Sequence, residues 1–254
     1  MQPVTFPEVL AVIPARGGSK TIPRKNIRLL AGRPLVAYSI AAGLEARRVS
    51  RVIVSTDDEE IADVCRQYGA EVPFLRPAEF SQDTSPDLPV FQHALRWLEE
   101  DEQYRPQIVV QLRPTSPLRS PTLIDDAVRM LLERPEADCV RGVALPEQTP
   151  YKMWQPGDDG FLKPLLTYGD AESYNYPRQY FPATYWHTGH IDVMRHETLT
   201  QKNSMSGERI LPIVIEPLYC TDIDTEDDWV YTEWLMKSGK IPVFQPHVSE
   251  DERQ

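Results

Sequence analysis

The sequence predicts an α/β fold, with a mainly parallel sheet and helices on both of its faces. Two observations carry the prediction. Short apolar runs rich in β-branched residues alternate with amphipathic segments through about the first 145 residues, and the connections between them are short. No internal repeat breaks the alternation, and 254 residues suit a single domain, 1–254, with a substantial core.

Val9-Leu10-Ala11-Val12-Ile13 is too short for an ordinary helix and reads as a buried strand. Leu35 to Arg47 reads as a helix with Pro34 near its start. Arg51 to Ser55 is a second strand. The next helix places Ile61, Val64, Cys65 and Tyr68 on one stripe, with acidic Asp57 to Glu60 at its N-terminus and Gly69 at its end. In this acidic run Asp57 could touch a ligand, with helix capping the favoured role. Val72 to Leu75 is a short strand, followed by the loop S-Q-D-T-S-P-D. Ser85 and Pro86 then start a helix with Val90, Phe91, Ala94, Leu95 and Leu98 inward. Ile108 to Leu112 is the next buried strand. Ser120-Pro121 caps a helix burying Ile124, Ala127, Val128, Leu131 and Leu132, and Asp138 to Val143 is one more strand.

The pattern changes over 146–185. Pro, Tyr and Gly are frequent, periodicity is weak, and the stretch is too long for a simple loop. It reads as an excursion or lid built on Tyr151, Trp154, Phe161, Tyr174 and Tyr176, an aromatic density that marks a packed interface. The α/β pattern resumes at His190 to Met194 and in the strand Ile210 to Ile215. It ends in the helix Thr225 to Lys237, which carries Trp229 and Trp234, and a polar tail follows from His247 to Gln254.

Composition narrows the function. A formal net charge of −11 opposes nucleic-acid binding, which draws most of its affinity from phosphate neutralisation by a basic face. No apolar run reaches membrane-spanning length and the N-terminus lacks a signal-peptide pattern, so no membrane is expected. Three widely spaced cysteines, Cys65, Cys139 and Cys220, argue for a reducing compartment, the cytoplasm.

Two stretches carry chemistry. The first strand runs into A-R-G-G-S-K-T-I-P-R-K-N, where Gly17 and Gly18 sit among Arg16, Lys20, Arg24 and Lys25. Glycines let backbone N–H groups approach a ligand, and the cations neutralise it. A basic glycine loop at the carboxyl end of a strand in an acidic chain suits a polyphosphate, although the spacing is not that of a P-loop. The second stretch is Asp222-Ile223-Asp224, where alternation puts both carboxylates on one side and Ile223 on the other. Paired carboxylates suit Mg²⁺; the competing reading is that Asp224 or Thr225 caps the following helix. A polyphosphate loop and a carboxylate pair complement each other, since the metal screens the phosphates. His187 and His190 lack a third ligand, and no serine sits in G-x-S-x-G. Lys152 and Arg178, in the excursion, are cations that could reach an anionic substrate, the default reading of each being a solvated charge.

Taken together, A-V-I-P-A-R-G-G-S-K-T-I-P-R-K-N, V-S-T-D-D, L-R-P-A-E, R-P-T-S-P-L-R and D-I-D-T resemble the acylneuraminate cytidylyltransferases, the CMP-sialic acid synthetases, in order and spacing from about Ala11 to Trp229. The resemblance implies a Rossmann-like nucleotidyltransferase fold, CTP as donor, Mg²⁺ as cofactor, and a homodimer whose excursion reaches over the neighbour's site. It implies that Arg16 and Lys25 handle the triphosphate and that Ala15, Gly17, Gly18, Ser19, Lys20 and Asn26 complete the nucleotide loop. Asp222 and Asp224 would hold the metal, and Arg113, Thr115 and Ser116 would face the acceptor. The reaction implied is attack of the anomeric hydroxyl of a 2-keto sugar acid on the α-phosphorus, expelling pyrophosphate. Positioning and electrostatic stabilisation would supply the catalysis, with the base open between a metal-bound hydroxide and an aspartate.

The sequence leaves the family pattern on the sugar side. Sialate enzymes read L-Q-P-T-S-P-L where this chain has Arg113, and carry an R-P-N-G-like arginine where it has Trp186-His187-Thr188-Gly189. A guanidinium in place of an amide adds a donor fork for carboxylate or phosphate. The acceptor is therefore open among sialic acid, another nonulosonic acid, a 3-deoxy sugar acid, a phosphonate and a sugar 1-phosphate. Two other readings stand beside it: a nucleotidyltransferase making an NDP-sugar from a sugar 1-phosphate, with GTP as an alternative donor, and a non-catalytic nucleotide-binding subunit.

Overall fold

The computed structural model describes residues 7–82 and 84–248. Asp83 of the S-Q-D-T-S-P-D loop and the tail residues 249–254 lie outside the described residues. In chain order the elements are β1 (Val9–Pro14), β2 (Leu29–Leu30), β3 (Arg33–Pro34), α1 (Leu35–Glu45), β4 (Arg51–Ser55), α2 (Glu59–Gln67), α3 (Asp87–Glu102) and β5 (Ile108–Gln111). Then come α4 (Pro121–Glu133), β6 (Cys139–Ala144), β7 (Trp154–Pro156), β8 (Leu162–Pro164), β9 (Trp186–Arg195), α5 (His196–Thr200), β10 (Ile210–Val214) and α6 (Glu226–Lys237).

Six strands form the sheet in the order β10-β6-β9-β5-β1-β4. All neighbours are parallel except β9, which runs antiparallel to both β5 and β6. Alternation along β1 shows how the core divides. Val9, Ala11 and Ile13 pack with α1, α2 and α4 on one face, while Leu10 and Val12 pack with Phe91, Leu95 and Leu98 of α3 on the other. Buried on both faces, β1 has to be apolar at every position.

Helix starts follow local chemistry. Asp58, not Asp57, caps α2 by accepting from Ile61 N, Ser120 caps α4, and Thr225 with Asp228 forms a capping box on α6. Because Thr225 does the capping, Asp224 is released from that role. Ser85 does not cap α3: its hydroxyl accepts from Gln82 N and donates to the Glu79 carbonyl, and Pro86 precedes the helix.

Three expectations shift. The run Val72 to Leu75 makes one isolated bridge, Thr56 to Leu75, with a second just before it, Ile53 to Glu71; Pro73 within it has no N–H to give a ladder. The strand expected at His190 to Met194 begins at Trp186, because its first residues resume pairing with β6 beyond an irregularity between Arg141 and Val143. Leu132 is half-buried rather than fully inward. The excursion is a short β7–β8 hairpin with 3-10 turns, held by aromatic pairs such as Tyr151 stacked on Phe181 at 5.1 Å and Trp154 edge-on to Tyr174 at 4.5 Å. Among the described residues no helix is long and apolar enough to cross a membrane.

A third apolar cluster lies beyond the sheet and positions the functional loops. It joins Ile22 of the basic loop, Leu118 of the loop after β5 and Ile223 of the Asp222–Asp224 run to Leu30, Leu35, Tyr38, Trp229 and Leu235. Ile22 and Ile223 are fully buried and Leu118 nearly so, each worth about 1.5–3 kcal/mol of transfer free energy. One apolar residue from each of three loops is thus buried in a single cluster, and the polar neighbours of those residues are drawn together.

Candidate active site

The loops meet through direct bonds as well. Lys25 Nζ donates to the Ile223 carbonyl at 2.7 Å and lies 3.1 Å from Asp224 Oδ1. Ile223 N donates to the Thr115 carbonyl at 2.9 Å. Asn26 Nδ2 braces the basic loop by donating to the Arg16 carbonyl at 2.9 Å. A cleft of about 270 Å³ opens between them, at the carboxyl ends of β1 and β5, where open α/β sheets bind ligands.

Of the residues expected to act, Arg16, Ser19, Lys25 and Asn26 line the cleft from the basic loop. Arg113 and Thr115 line it from the loop after β5, and Asp222 and Asp224 from the far end of the chain. Ala15 is buried beneath them, and Gly18 and Lys20 are exposed beside them. Ser116 is fully buried with no partner for its hydroxyl. Lys152 and Arg178 lie in the excursion, apart from this chain's cleft; Arg178 donates to the carbonyls of Pro146 and Glu147. Arg24 is also turned aside, paired with Asp58 at 2.5 Å and with Glu60.

The first glycine of the pair has a local reason to be there. A Cβ on Gly17 would stand 2.8 Å from Asp58 Oδ2 and 2.9 Å from Asp58 Cβ, whereas one on Gly18 meets nothing within 4 Å. The Gly17 N–H is spent on Asp57 Oδ1 at 3.0 Å. Asp57 therefore holds the loop, and Asp58 caps the helix behind it.

Charge in the cleft is uneven. Burial raises the Asp222 carboxyl above its usual range, and the nearby Asp224 charge adds to that, while a hydrogen bond with Thr115 and the cations Arg113 and Lys25 oppose it. The residue keeps open surface toward the cleft, yet the carboxyl itself is enclosed enough for burial to lead. A carboxylate pressed by burial and by a like charge is relieved by a cation. The pair thus fits a hard divalent ion that takes its remaining oxygens from phosphate and water. No group of three or more His, Cys, Asp or Glu suited to a metal occurs among the described residues. The two histidines go separate ways: His190 Nε2 meets the Leu118 carbonyl at 3.2 Å and His187 Nε2 meets Asp192 at 3.1 Å.

Three charged residues were missed from the sequence, two lining the cleft and one buried behind it. Asp87, the first residue of α3, bonds Arg113 Nη2 at 2.6 Å and Gln111 Nε2 at 3.0 Å through one oxygen. Arg76, quoted above only within L-R-P-A-E, is buried on the cleft wall, donating to Ser81 Oγ and standing 3.6 Å from Asp57. Arg119, at the end of R-P-T-S-P-L-R, is buried and donates to the His190 carbonyl, Ser39 Oγ and the Arg113 carbonyl. Burial pulls its guanidinium down to about 9. A buried arginine with no carboxylate looks on paper like any surface cation; only its place in a loop motif hinted at more.

A roomier cavity of about 630 Å³ sits by Pro7 and Val9 at the opposite end of β1, between the loop after α1 and α4. Its Asp125 already accepts from Arg47 N and Arg48 N, and its Asp126 pairs with Arg129. It lies at the wrong end of the sheet for the basic loop.

Known proteins give the same picture. A family model described as Cytidylyltransferase matches residues 10–155. The chain is 34% identical to the CMP-N,N'-diacetyllegionaminic acid synthase of Legionella pneumophila subsp. pneumophila, over 90% of this chain and 96% of that protein. It is 30% identical to the N-acylneuraminate cytidylyltransferase of Escherichia coli, over 94% of this chain and 55% of that one. The solved structure of CMP:2-keto-3-deoxy-manno-octonic acid synthetase complexed with CTP shares the fold, with a TM-score of 0.66 at 16% identity, covering 91% of this chain and 99% of that one.

Proposed function

The chain belongs to the cytidylyltransferase family, and from that premise we propose that it transfers CMP from CTP to the anomeric hydroxyl of a 2-keto sugar acid, sialic acid or a related nonulosonic acid, and releases pyrophosphate. One observation carries the reading: Lys25 of the glycine loop is bonded to the Asp222–Asp224 run, so the loop's cations and the paired carboxylates stand together at the end of β1.

Arg16 and Lys25 neutralise the phosphates and hold the α-phosphorus in line for attack. Ser19 and Asn26 fix the same loop around the nucleotide. Arg113 and Thr115 face the acceptor. The acceptor hydroxyl gives its proton to a base, a carboxylate of the cleft or water, as its oxygen forms a bond to the α-phosphorus; the bond to the α–β bridging oxygen breaks, and the pyrophosphate carries that electron pair away. Pre-placed cations stabilise the charge that gathers on the phosphate oxygens, and holding the two substrates together removes the entropy of their encounter. Asp222 and Asp224 would hold Mg²⁺, which when bound screens the phosphate charges.

The excursion supports a homodimer. Phe161 is 74% exposed and Leu162 63% exposed, with Met153, Trp154, Leu165 and Leu166 nearby in sequence and also exposed, an apolar surface that calls for a partner. Lys152 would then reach the neighbour's cleft, while Arg178 holds the base of the excursion through the carbonyls of Pro146 and Glu147. The cytoplasm, where CTP is available and thiols stay reduced, suits such an enzyme.

The test is Mg²⁺-dependent pyrophosphate release with each nucleoside triphosphate against sialic, legionaminic and 3-deoxy sugar acids and several sugar 1-phosphates. The expected result is turnover with CTP and a nine-carbon keto acid. Turnover only with a sugar 1-phosphate would assign the chain to NDP-sugar synthesis, and silence in every combination would make it a nucleotide-binding subunit.

A further inference from the structure

A line of polar side chains crosses the sheet behind the cleft. Gln111 on β5 stands opposite Asp192 on β9, and Asp192 stands opposite Arg141 on β6, so the three share the face covered by α3. Arg141 Nε bonds Asp192 Oδ1 at 2.7 Å, and His187 Nε2 lies 3.1 Å from Asp192 Oδ2. Gln111 then bonds Asp87, which bonds Arg113. Gln111 and Asp192 are 1% and 2% exposed, so the line is buried at its base, and it reaches the cleft at Asp87 and Arg113, whose side chains are 32% and 37% exposed.

The arrangement changes what Arg113 offers. Read from the sequence, its guanidinium adds a net positive charge where the related enzymes have an amide. In the structure Asp87 cancels that charge at 2.6 Å. Placed at the first turn of α3, Asp87 is itself favoured by the helix dipole, and Gln111 fixes its carboxylate. The pair therefore presents one donor and one acceptor with no net charge of its own, as an amide does. It also sits beside the carboxylates: Gly189, at φ +67, has an α-carbon whose Cβ would lie 3.6 Å from Arg113 Cδ and 4.0 Å from Asp222 Oδ2.

We infer that the Asp87–Arg113 pair sets the acceptor class, selecting a sugar acid that turns a neutral hydroxyl or acylamino group toward it and rejecting an acceptor with a second anion there, a phosphate or phosphonate. This rests on the cytidylyltransferase reading of the cleft. A neutral group that both donates and accepts satisfies both members of the pair, whereas a second anion meets the Asp87 carboxylate and pays for like-charge contact. Asp87 acts as a specificity-determining residue through the charge it removes from Arg113.

The experiment uses whichever of sialic or legionaminic acid the wild type turns over, with N-acetylglucosamine 1-phosphate as a competitor. In Asp87→Asn the freed guanidinium should lower the inhibition constant of the phosphate roughly tenfold and raise the sugar-acid KM roughly tenfold, with the KM for CTP within about twofold. Asp87→Asn combined with Arg113→Gln should return the phosphate to weak inhibition. Unchanged constants in Asp87→Asn, or a parallel rise in both KM values, would overturn the inference while leaving the function intact. A wild type silent with every keto acid would sink both.

Discussion

Lys25 and Asp224, separated by 199 positions in the chain, form an ion pair at 3.1 Å across the mouth of the cleft. Lys25 is well covered and Asp224 is mostly exposed, with side chains 14% and 71% accessible. The bond from Lys25 to the Ile223 carbonyl at 2.7 Å fixes the ammonium independently of the carboxylate. A triphosphate can thus take the charge of Lys25, and a cation that of Asp224, without the loop having to be rebuilt.

Asp222→Asn should separate stability from activity. Burial leads the upward shift of this carboxyl, so the folded state binds its proton more tightly than the unfolded chain does. Its ionised form then costs stability at neutral pH, and the cost fades as pH falls through the folded pKa. The variant should melt at a higher temperature than wild type at pH 7.5, with the gap closing toward pH 4. Turnover should fall roughly 100-fold or more, and the stabilisation of wild type by CTP with Mg²⁺ should shrink. A lower melting temperature at pH 7.5, or retained turnover, would remove the assignment of Asp222.

The two glycines should respond differently to the same change. Gly17→Ala drives a methyl into Asp58, which caps α2 through Ile61 N and holds Arg24. Asp58 Cβ, 2.9 Å away, cannot turn aside as a side-chain tip can, so about 1–3 kcal/mol of stability should be lost, with a raised KM for CTP as the loop shifts. Gly18→Ala meets open space and should stay within about 0.5 kcal/mol of wild type. Urea midpoints of the two variants, read side by side, check the difference; equal losses would mean that the Asp58 contact is not what reserves position 17 for glycine.

How far these relationships can be read without coordinates depends on which residues carry them. Apolar runs such as Val9 to Ile13 and the alternation in Asp222-Ile223-Asp224 were legible, because burial imposes a period on the residues themselves. The direction of β9 was not, since an apolar run looks the same whichever way it crosses the sheet. Gly17 was legible as important but not for its reason, which depends on how closely Asp58 approaches from another element. Asp87 and Arg119 were hidden for a related cause. One reads as the first residue of a helix and the other as a surface cation until the packing of α3 and β9 shows what faces them.

Acid should weaken the fold before the carboxylates titrate. Burial pushes His190 down to about 3, and the neighbouring Arg119 charge acts in the same direction. Below the ordinary histidine pKa of about 6.5 the unfolded chain takes up a proton that the folded chain refuses, so stability is full above that value and is lost as pH falls toward 3. Each such group contributes up to about 1.4 kcal/mol per pH unit in that window. His93 and His196 are lowered by burial too, so His190→Asn should flatten the fall in urea midpoint between pH 6.5 and 4.5 without abolishing it. An unchanged slope would show that His190 protonates freely in the folded protein.

The excursion makes the last prediction, because it places cations far from their own cleft. Arg178 is occupied in holding the base of the excursion through the carbonyls of Pro146 and Glu147, which leaves Lys152, half-buried in the turn Pro150–Lys152, as the group free to act across an interface. The exposed Phe161 and Leu162 supply the apolar surface for that interface, and light scattering should give twice the protomer mass. Phe161→Asp should shift the protein toward monomer. If the neighbour's Lys152 completes each cleft, Lys152→Ala and Asp222→Asn are each inactive for different reasons. When subunits of the two are exchanged in equal amounts, half of the dimers are mixed, and in each of those one of the two clefts has both its own Asp222 and the neighbour's Lys152. About a quarter of wild-type activity should return. No recovery despite proven exchange would confine each cleft to one chain, and the excursion would then be a lid over its own site.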